Sequence, residues 1–308
     1  MTAIVETRGL GKAFAGHAAV RDLNLSIAAN EIFGIVGPDG AGKTTTMRML
    51  AGVMRPDQGT VVIDGIDVLR FPDLAKEHFS YMPQRFGLYE DLTVDENIRF
   101  YADLFSIPQA LREERAARLL AASGMTQFRR RLAGQLSGGM KQKLGLTCAL
   151  IHTPKVVLLD EPTTGVDPVS RREFWRVLYD LREQGVTIVI STAYLDEAER
   201  CHRLALLHEG RLLQCDTPQA LKRRMPGAIL SIVSQQVREV RDVVARCPGV
   251  LSTMLVGVAV RATVDDAALR APQIAAALSA AGLAFEPPKI AQPTIEDLFV
   301  TLQEPETA

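Results

Sequence analysis

The chain has 308 residues and a mass of 33.6 kDa, enough for one large domain or for a large domain and a small one. Hydrophobic residues make up 47% and charged residues 23%, proportions that exclude a disordered or fibrous chain. A net charge of -1 argues against a protein that neutralises many phosphates, so no nucleic-acid partner is expected.

The sequence also limits where the protein is expected to act. Its longest apolar runs, such as residues 254–260, are far shorter than the roughly 18 to 20 residues that span a bilayer, so no membrane crossing is predicted. No secretory signal is visible at the start of the chain. The four cysteines form no C-x-x-C pair, which fits reduced thiols in a cytosolic protein better than disulfides or a zinc site.

The first predicted elements are two strands and a helix. Leu23, Leu25 and Ile27 alternate along one side of a strand, and residues 32–36 form an apolar run typical of a buried strand. A glycine-rich turn follows, and residues 43–52 have the apolar spacing of a helix. The pattern therefore predicts a strand, a loop and a helix in succession.

The middle of the chain alternates between helices and buried strands. Helical patterns dominate residues 87–152, and buried strands are predicted at 156–159 and 186–191 on either side of a helix over 170–184. This alternation predicts a parallel sheet covered by helices. The predicted fold class is α/β, with a mostly helical insertion at about 87–152.

A change in composition predicts a second domain. Residues 203–216 are typical of a hairpin, and a short helix is expected to begin at Thr217. After a turn-rich break at 225–227, the pattern predicts a strand, a helix, two strands, a helix, a strand and a final helix. We therefore predict a domain over residues 1–224 and a small α+β domain over residues 225–308.

Residues 37–44 match the phosphate-loop pattern G-x-x-x-x-G-K-[ST], between a predicted strand and a predicted helix. In such a loop, backbone N–H groups surround a phosphate and the helix N-terminus adds its positive end. Lys43 is expected to reach the β- and γ-phosphate oxygens, and the Thr44 hydroxyl to ligate magnesium. The alternative is a chance glycine-rich turn. The candidate nucleotide-binding residues here are Gly37, Pro38, Asp39, Gly40, Ala41, Gly42, Lys43, Thr44 and Thr45.

A second motif is an apolar strand that ends in two carboxylates, Asp160 and Glu161. We predict that Asp160 holds magnesium and that Glu161 orients or deprotonates the water that attacks the γ-phosphate. Without the phosphate loop, solvated acids at the tip of a buried strand would be an equally good interpretation.

A third motif, Leu136-Ser137-Gly138-Gly139-Met140, precedes a helical segment, and with the first two it resembles the nucleotide-binding subunits of ABC transporters. The resemblance implies that Ser137, Gly138 and Gly139 bind the γ-phosphate of ATP held by an opposite subunit, through a helix N-terminus. It therefore implies a dimer, either a homodimer or a heterodimer. A simple Ser-Gly-Gly helix cap is the alternative for this motif.

Three further positions match the family residue by residue. Phe14 occupies the place of the family's adenine-stacking aromatic, and Gln84 matches the glutamine that touches magnesium and the attacking water. Asp167 lies in a segment that matches the family loop that crosses the dimer interface. The alternatives are a core phenylalanine, a solvated glutamine and an aspartate that caps the helix near Ser170.

One position departs from the family pattern. Ala193 stands where the family normally has a histidine that contacts the γ-phosphate, and alanine can neither donate a hydrogen bond nor carry a proton. Either the neighbouring Ser191, Thr192 and Tyr194 substitute for it, or hydrolysis is slow, or the partner subunit keeps the histidine.

The resemblance implies a function. The segment that begins at Phe86 and ends at Asn97, together with the closing helix from Thr294, is similar to ATPases that serve type 2 ABC exporters of drugs, lipids or polysaccharides. The resemblance implies an ATPase that uses ATP and Mg2+ as cofactors. This ATPase would drive a separate integral membrane permease from the cytoplasmic face of the membrane. A regulatory subunit with impaired hydrolysis is the alternative.

Overall fold

The computed structural model describes residues 3–85 and 87–303. Its strands are β1 (Ala3–Phe14), β2 (His17–Ala28), β3 (Ile32–Val36), β4 (Gln58–Ile63), β5 (Ile66–Asp67), β6 (Phe79–Met82), β7 (Val156–Asp160), β8 (Thr187–Thr192), β9 (Arg203–His208), β10 (Arg211–Asp216), β11 (Ala228–Val233), β12 (Val250–Val256), β13 (Ala259–Val264) and β14 (Lys289–Ala291). Its α-helices are α1 (Lys43–Leu50), α2 (Pro72–Lys76), α3 (Val94–Leu104), α4 (Gln109–Ala122), α5 (Gly138–Leu150), α6 (Pro168–Glu183), α7 (Leu195–Ala198), α8 (Pro218–Arg223), α9 (Val237–Val244), α10 (Ala267–Ala280) and α11 (Ile295–Gln303).

The chain divides into two compact units. The first contains the residues up to Glu197 together with Cys201–Cys215, and the second contains Ala198–Arg200 together with the residues from Asp216 onward. This division groups α8 with the second unit, whereas the composition of the sequence pointed to a boundary after residue 224. The physical reason is that Leu221 of α8 is fully buried and α8 packs against α11.

The first unit is built on a six-stranded sheet in the order β10-β9-β3-β8-β7-β6. Strands β9, β3, β8, β7 and β6 are parallel, as the alternation of strands and helices predicted. Every residue of β3, β7 and β8 is buried, because helices or a second sheet cover both faces. The carboxyl ends of these three adjacent strands therefore lie side by side at one edge.

The first unit contains a second sheet, of which the sequence predicted only the strand with Leu23, Leu25 and Ile27. It is antiparallel, in the order β2-β1-β4-β5. Its apolar side chains pack with α1 and with one face of the parallel sheet, where Leu158 and Val189 lie. The 12-residue strand β1 was not predicted, because irregular pairing between Thr7 and Leu10 interrupts the alternation of buried and exposed residues along it.

The segment between β6 and β7 is mostly helical and has an apolar core of its own. Helices α3, α4 and α5 pack through buried residues that include Ile98, Leu120 and Leu144. Thr93 and Glu96 form a capping box at the start of α3, which satisfies two backbone donors there.

The second unit contains an antiparallel sheet in the order β12-β13-β11-β14, with α9 and α10 packed on its apolar side. The element order after residue 225 is the one predicted. A buried ion pair links β13 to α11, because Arg261 donates to both oxygens of Asp297 at 2.9 and 2.7 Å.

Every helix within residues 3–85 and 87–303 is too short or too polar to span a lipid bilayer. No disulfide joins any of the four cysteines, Cys148, Cys201, Cys215 and Cys247, all of which lie within the described residues.

Candidate nucleotide-binding site

The phosphate loop connects β3 to α1 and turns back sharply on itself. Gly42 has a φ of +98°, and a Cβ at this position would lie 2.4 Å from the carbonyl oxygen of Ala19, so only glycine fits. The Ala41 N–H donates to the carbonyl of Pro38 at 3.2 Å, which closes the turn. The N-terminus of α1, with its free N–H groups, therefore borders an open cleft of about 330 Å³.

The residues predicted to form the phosphate loop line this cleft or shape its backbone. Pro38 and Ala41 shape the loop backbone. The cleft is lined by Phe14, Ala19, Asp39, Gly40, Gly42, Lys43, Thr44, Thr45, Gln84 and Glu161.

Lys43 is a nearly buried cation with three oxygen partners. Its Nζ donates to the carbonyl oxygens of Gly37 and Pro38 at 2.9 and 3.0 Å, and lies 3.0 Å from Oε1 of Glu161. The side chain of Lys43 is only 4% exposed. The ammonium is thus held at the floor of the cleft, where the charge of an anion would be screened little by water.

Asp160 is a buried carboxylate at the end of β7 that accepts three hydrogen bonds from hydroxyl groups. Its Oδ1 accepts from Ser191 at 2.7 Å and from Thr44 at 3.1 Å, and its Oδ2 accepts from Tyr81 at 3.3 Å. Burial, with the Asp160 charge as a further cause, raises the pKa of Tyr81 to about 12, so this phenol stays protonated and donates.

Glu161 follows Asp160 in a left-handed conformation, with φ +47°. Such a conformation is costly for a residue other than glycine and persists only where neighbouring groups hold it. Its N–H lies 3.0 Å from Ser191 Oγ and 3.1 Å from the Ser191 carbonyl oxygen. Its Oε2 accepts from Gln84 Nε2 at 3.0 Å and from Thr164 at 3.3 Å. Gln84 thereby contacts the predicted base.

Few residues at the cleft could ligate a metal ion, and their ligand atoms are side-chain oxygens. The part of the chain that the structure describes has no group of three or more His, Cys, Asp or Glu side chains suited to a metal ion. Thr44 Oγ1 and Asp160 Oδ1, 3.1 Å apart, nevertheless fit Mg2+, which binds a few protein oxygens together with phosphate and water.

Phe14 is not a core residue. It ends β1, is 45% exposed and lines the cleft beside the phosphate loop. Lys12 Nζ lies 5.8 Å from the centroid of its ring. The exposed ring offers an aromatic face at the mouth of the cleft.

The Ser-Gly-Gly motif lies outside the cleft. Ser137 caps α5 by accepting a hydrogen bond from the Met140 N–H at 3.3 Å. A Cβ on Gly139 would come within 2.5 Å of Ser170 Cβ, so glycine allows α5 to approach the start of α6 closely. Gly138 lies at the first position of α5, and none of these three residues lines the cleft.

Asp167 caps α6, as the alternative interpretation of this residue expected. Its Oδ1 accepts from the N–H groups of Val169 and Ser170, both at 3.0 Å. Hydrogen bonds from the Ser170 side chain and backbone lower the pKa of Asp167. Asp167 also lies outside the cleft.

The side chains around Ala193 are occupied by other contacts. Ser191 donates to Asp160, Thr192 donates to Glu197 at 2.8 Å, and the Tyr194 ring lies 4.1 Å from the guanidinium carbon of Arg171. Ala193 itself is partly exposed after the end of β8. Phe86, which opens the segment compared with exporter ATPases, lies outside the described residues.

Sequence reasoning missed two side chains that hold Asp160. Tyr81 and Ser191 belong to β6 and β8, the neighbours of β7 in the sheet. The available signal was a polar residue near the carboxyl end of an otherwise apolar strand, as in Thr187–Thr192. Only the strand order shows that these side chains meet at one carboxylate.

A phosphate loop bordered by a buried lysine, a hydroxyl and two strand-end carboxylates defines a nucleotide-binding protein of the phosphate-loop class. A sequence profile of the family described as ABC transporter matches residues 20–164. The chain is also 39% identical to the daunorubicin/doxorubicin resistance ATP-binding protein DrrA of Streptomyces peucetius, over 75% of this chain and 70% of that one. The chain therefore belongs to the ABC transporter family, among its ATP-binding proteins.

Two other comparisons agree. The chain is 46% identical to the probable multidrug ABC transporter ATP-binding protein YbhF of Escherichia coli, over 86% of this chain and 47% of that protein, so it spans about half the length of this relative. A solved structure described as the ATP binding subunit of an ABC transporter superposes with a TM-score of 0.66 at 29% identity, covering 72% of this chain and 92% of that one.

Proposed function

We propose that the chain is an ATP-hydrolysing subunit that drives a separate membrane permease, as part of an exporter. The observation that carries the proposal is the convergence of Lys43, Thr44, Asp160 and Glu161 at one cleft. These residues supply a cation for the phosphates, oxygen ligands for Mg2+ and a carboxylate base.

In the proposed reaction, Lys43 and the N–H groups of the loop bind the β- and γ-phosphates of ATP. Thr44 and Asp160 would hold Mg2+, with Gln84 as a further ligand, and the ion would supply positive charge against the charge that develops on the phosphate oxygens. Glu161 accepts a proton from water as the water oxygen bonds to the γ-phosphorus and the bond to ADP breaks. The bond from Gln84 to Glu161 aligns the base.

The proposal includes a second nucleotide-binding subunit. Ser137, Gly138 and Gly139 begin a helix whose N-terminus can bind an anion, yet they do not line the cleft of their own chain. We assign them, with Asp167, to the nucleotide site of the opposite subunit. Phe14 is assigned to the adenine ring, because its exposed face lies at the mouth of the cleft.

The class of cargo is inferred from the relatives. The printed names of two similar proteins refer to multidrug transport and to daunorubicin/doxorubicin resistance. We propose export of an amphipathic drug-like or lipid-like compound selected by the permease. The subunit then acts at the cytoplasmic face of the membrane, bound to that permease.

A second candidate is a regulatory subunit with little turnover. The observation that favours it is the environment of Ala193, since Ser191 and Thr192 direct their hydroxyls to other carboxylates. In that case binding of ATP and dimerisation would persist in the isolated chain, while hydrolysis would depend on a partner that keeps the histidine.

Titration with MgATP, with and without co-purified membrane partners, tests the proposal. Lys43→Ala should abolish tight binding and turnover, whereas Lys76→Ala, which removes an exposed lysine from α2, should change neither. Unchanged MgATP affinity in Lys43→Ala would refute the site. Tight binding without turnover in every complex would favour the regulatory candidate.

A further inference from the structure

Glu197 is a fully buried carboxylate outside the nucleotide cleft. Its Oε1 accepts from Thr163 Oγ1 at 2.7 Å and from Trp175 Nε1 at 3.1 Å, and its Oε2 accepts from Thr192 Oγ1 at 2.8 Å. Arg171 Nε lies 3.7 Å from Oε1. Burial of a charge is costly unless several donors compensate it, so these bonds are strong and directional.

The two threonines belong to segments that carry the reaction. Thr163 lies two residues after Glu161, in the turn between β7 and α6. Thr192 ends β8 and immediately precedes Ala193. Each oxygen of Glu197 therefore holds one of these segments, and the carboxylate links the turn that contains the proposed base to the loop at Ala193, the position where the family normally has a histidine.

The backbone of Glu161 needs support on both sides, because its φ of +47° is strained. On the upstream side its N–H is held by Ser191. On the downstream side Thr164 N–H donates to the Glu161 carbonyl at 3.2 Å, and Val166 N–H donates to the Thr163 carbonyl at 3.1 Å. The bond from Thr163 to Glu197 anchors this turn to α7.

We propose that Glu197 is a positioning residue for hydrolysis, which keeps Glu161 and the loop at Ala193 in one fixed arrangement. The inference rests on the proposed role of Glu161 as the base. Without the bond at Thr163 or at Thr192, the turn relaxes and the Glu161 carboxylate moves away from its productive position. Small displacements of a catalytic group lower the rate far more than they lower substrate binding.

The test compares Thr163→Val and Thr192→Val in the full chain with its co-purified partners. Each variant should lower kcat for ATP about tenfold with KM within about twofold, less than the roughly hundredfold loss that a displacement of about 1 Å can cause. Thr163→Ser and Thr192→Ser, which keep the hydroxyl, should restore most of the rate. The matched control is Thr147→Val, an equally buried threonine whose hydroxyl donates only to the Lys143 carbonyl within α5.

Two further variants compare Glu197 with its neighbour. Glu197→Gln keeps the shape of the side chain but offers Thr192 a donor instead of an acceptor, so it should lower kcat as the threonine variants do. Asp196→Asn makes the same chemical change at an exposed carboxylate of α7 and should behave as the wild type. The double variant of Thr163 and Thr192 should be about as slow as either single one, because both act through one carboxylate.

Amide hydrogen exchange separates failure of this inference from failure of the proposed function. Thr192→Val should speed exchange at residues 161–166, although Thr192 lies on another strand. Faster exchange in a chain that never hydrolyses ATP would refute the proposed hydrolysis and support the linkage. The linkage would be overturned by unchanged exchange, by a kcat equal to that of Thr147→Val, or by threonine effects that multiply in the double variant.

Discussion

The ion pair between Lys43 and Glu161 allows a quantitative test of the nucleotide-binding site without nucleotide. The two side chains are 4% and 11% exposed and lie 3.0 Å apart. Lys43→Met removes the ammonium and leaves the carboxylate with two neutral donors, from Gln84 and Thr164. Removal of one partner of a buried pair costs about 3 to 5 kcal/mol, and these donors reduce the expected loss of unfolding free energy to about 2 kcal/mol.

The double variant Lys43→Met with Glu161→Gln contains no buried charge at this position. Replacement of a buried ion pair by neutral groups is often neutral for stability, so the double variant should unfold within about 1 kcal/mol of the wild type. Glu161→Gln leaves the buried Lys43 ammonium with neutral partners only and should itself cost about 1 kcal/mol or more, so the two single changes should couple by about 2 kcal/mol or more. The lysine left free in Glu161→Gln should also bind MgATP more tightly, because the phosphates no longer compete with a carboxylate.

Urea unfolding without nucleotide measures this coupling. The chain has one tryptophan, Trp175, and it lies in the same unit as the pair, so its fluorescence reports on that unit. An exposed pair, Lys76 with Asp73, provides the control, and its coupling should not exceed about 0.5 kcal/mol. Single changes at Lys43 and Glu161 that add within about 0.5 kcal/mol would refute a buried pair.

Three further predictions concern assembly, turnover and the second unit. Glu161→Gln should accumulate a dimer with MgATP in size-exclusion chromatography, and a variant that stays monomeric with unimpaired turnover would contradict the role of Glu161 as base. Ala193→His should raise the ATPase rate of the isolated chain by about tenfold, or about 1.4 kcal/mol, and a high wild-type rate that the change does not alter would show that Ala193 is no defect. Asp297→Asn should cost about 3 kcal/mol in the second unit, measured by amide exchange in β13, because Arg261 would lose its buried partner. Burial by itself would raise the pKa of Asp297, but hydrogen bonds from Arg261 and Thr294 outweigh burial and lower the pKa. The stability that the Asp297 carboxylate contributes is therefore present above pH 3.8, its ordinary pKa, and is lost as the pH falls through the lowered pKa.

Motifs made of consecutive residues could be predicted from the sequence. The phosphate loop at residues 37–44 needs a strand before it and a helix after it, and both requirements are local. The strand that ends in Asp160 and Glu161 is likewise a continuous apolar run. The parallel sheet and the element order of the second unit followed for the same reason, because hydrophobic periodicity is written in neighbouring residues.

Contacts between distant segments required the tertiary structure. Nothing in the sequence around Tyr81 or Ser191 indicates that both donate to Asp160, because strand order is not encoded in any one strand. The bulged strand β1 was missed because its irregular pairing breaks the alternation of apolar residues.

Glu197 shows most directly what the sequence determined and what only the folded chain decided. As a sequence feature it is one acid among several between Asp196 and Glu199, where a charged residue is normally expected on a solvated helix face. In the fold it is fully buried, since the short helix α7 turns it toward Thr163, Trp175 and Thr192. The sequence determined which groups can carry the chemistry, and packing decided which donors reach each carboxylate, because burial depends on residues far apart in the chain.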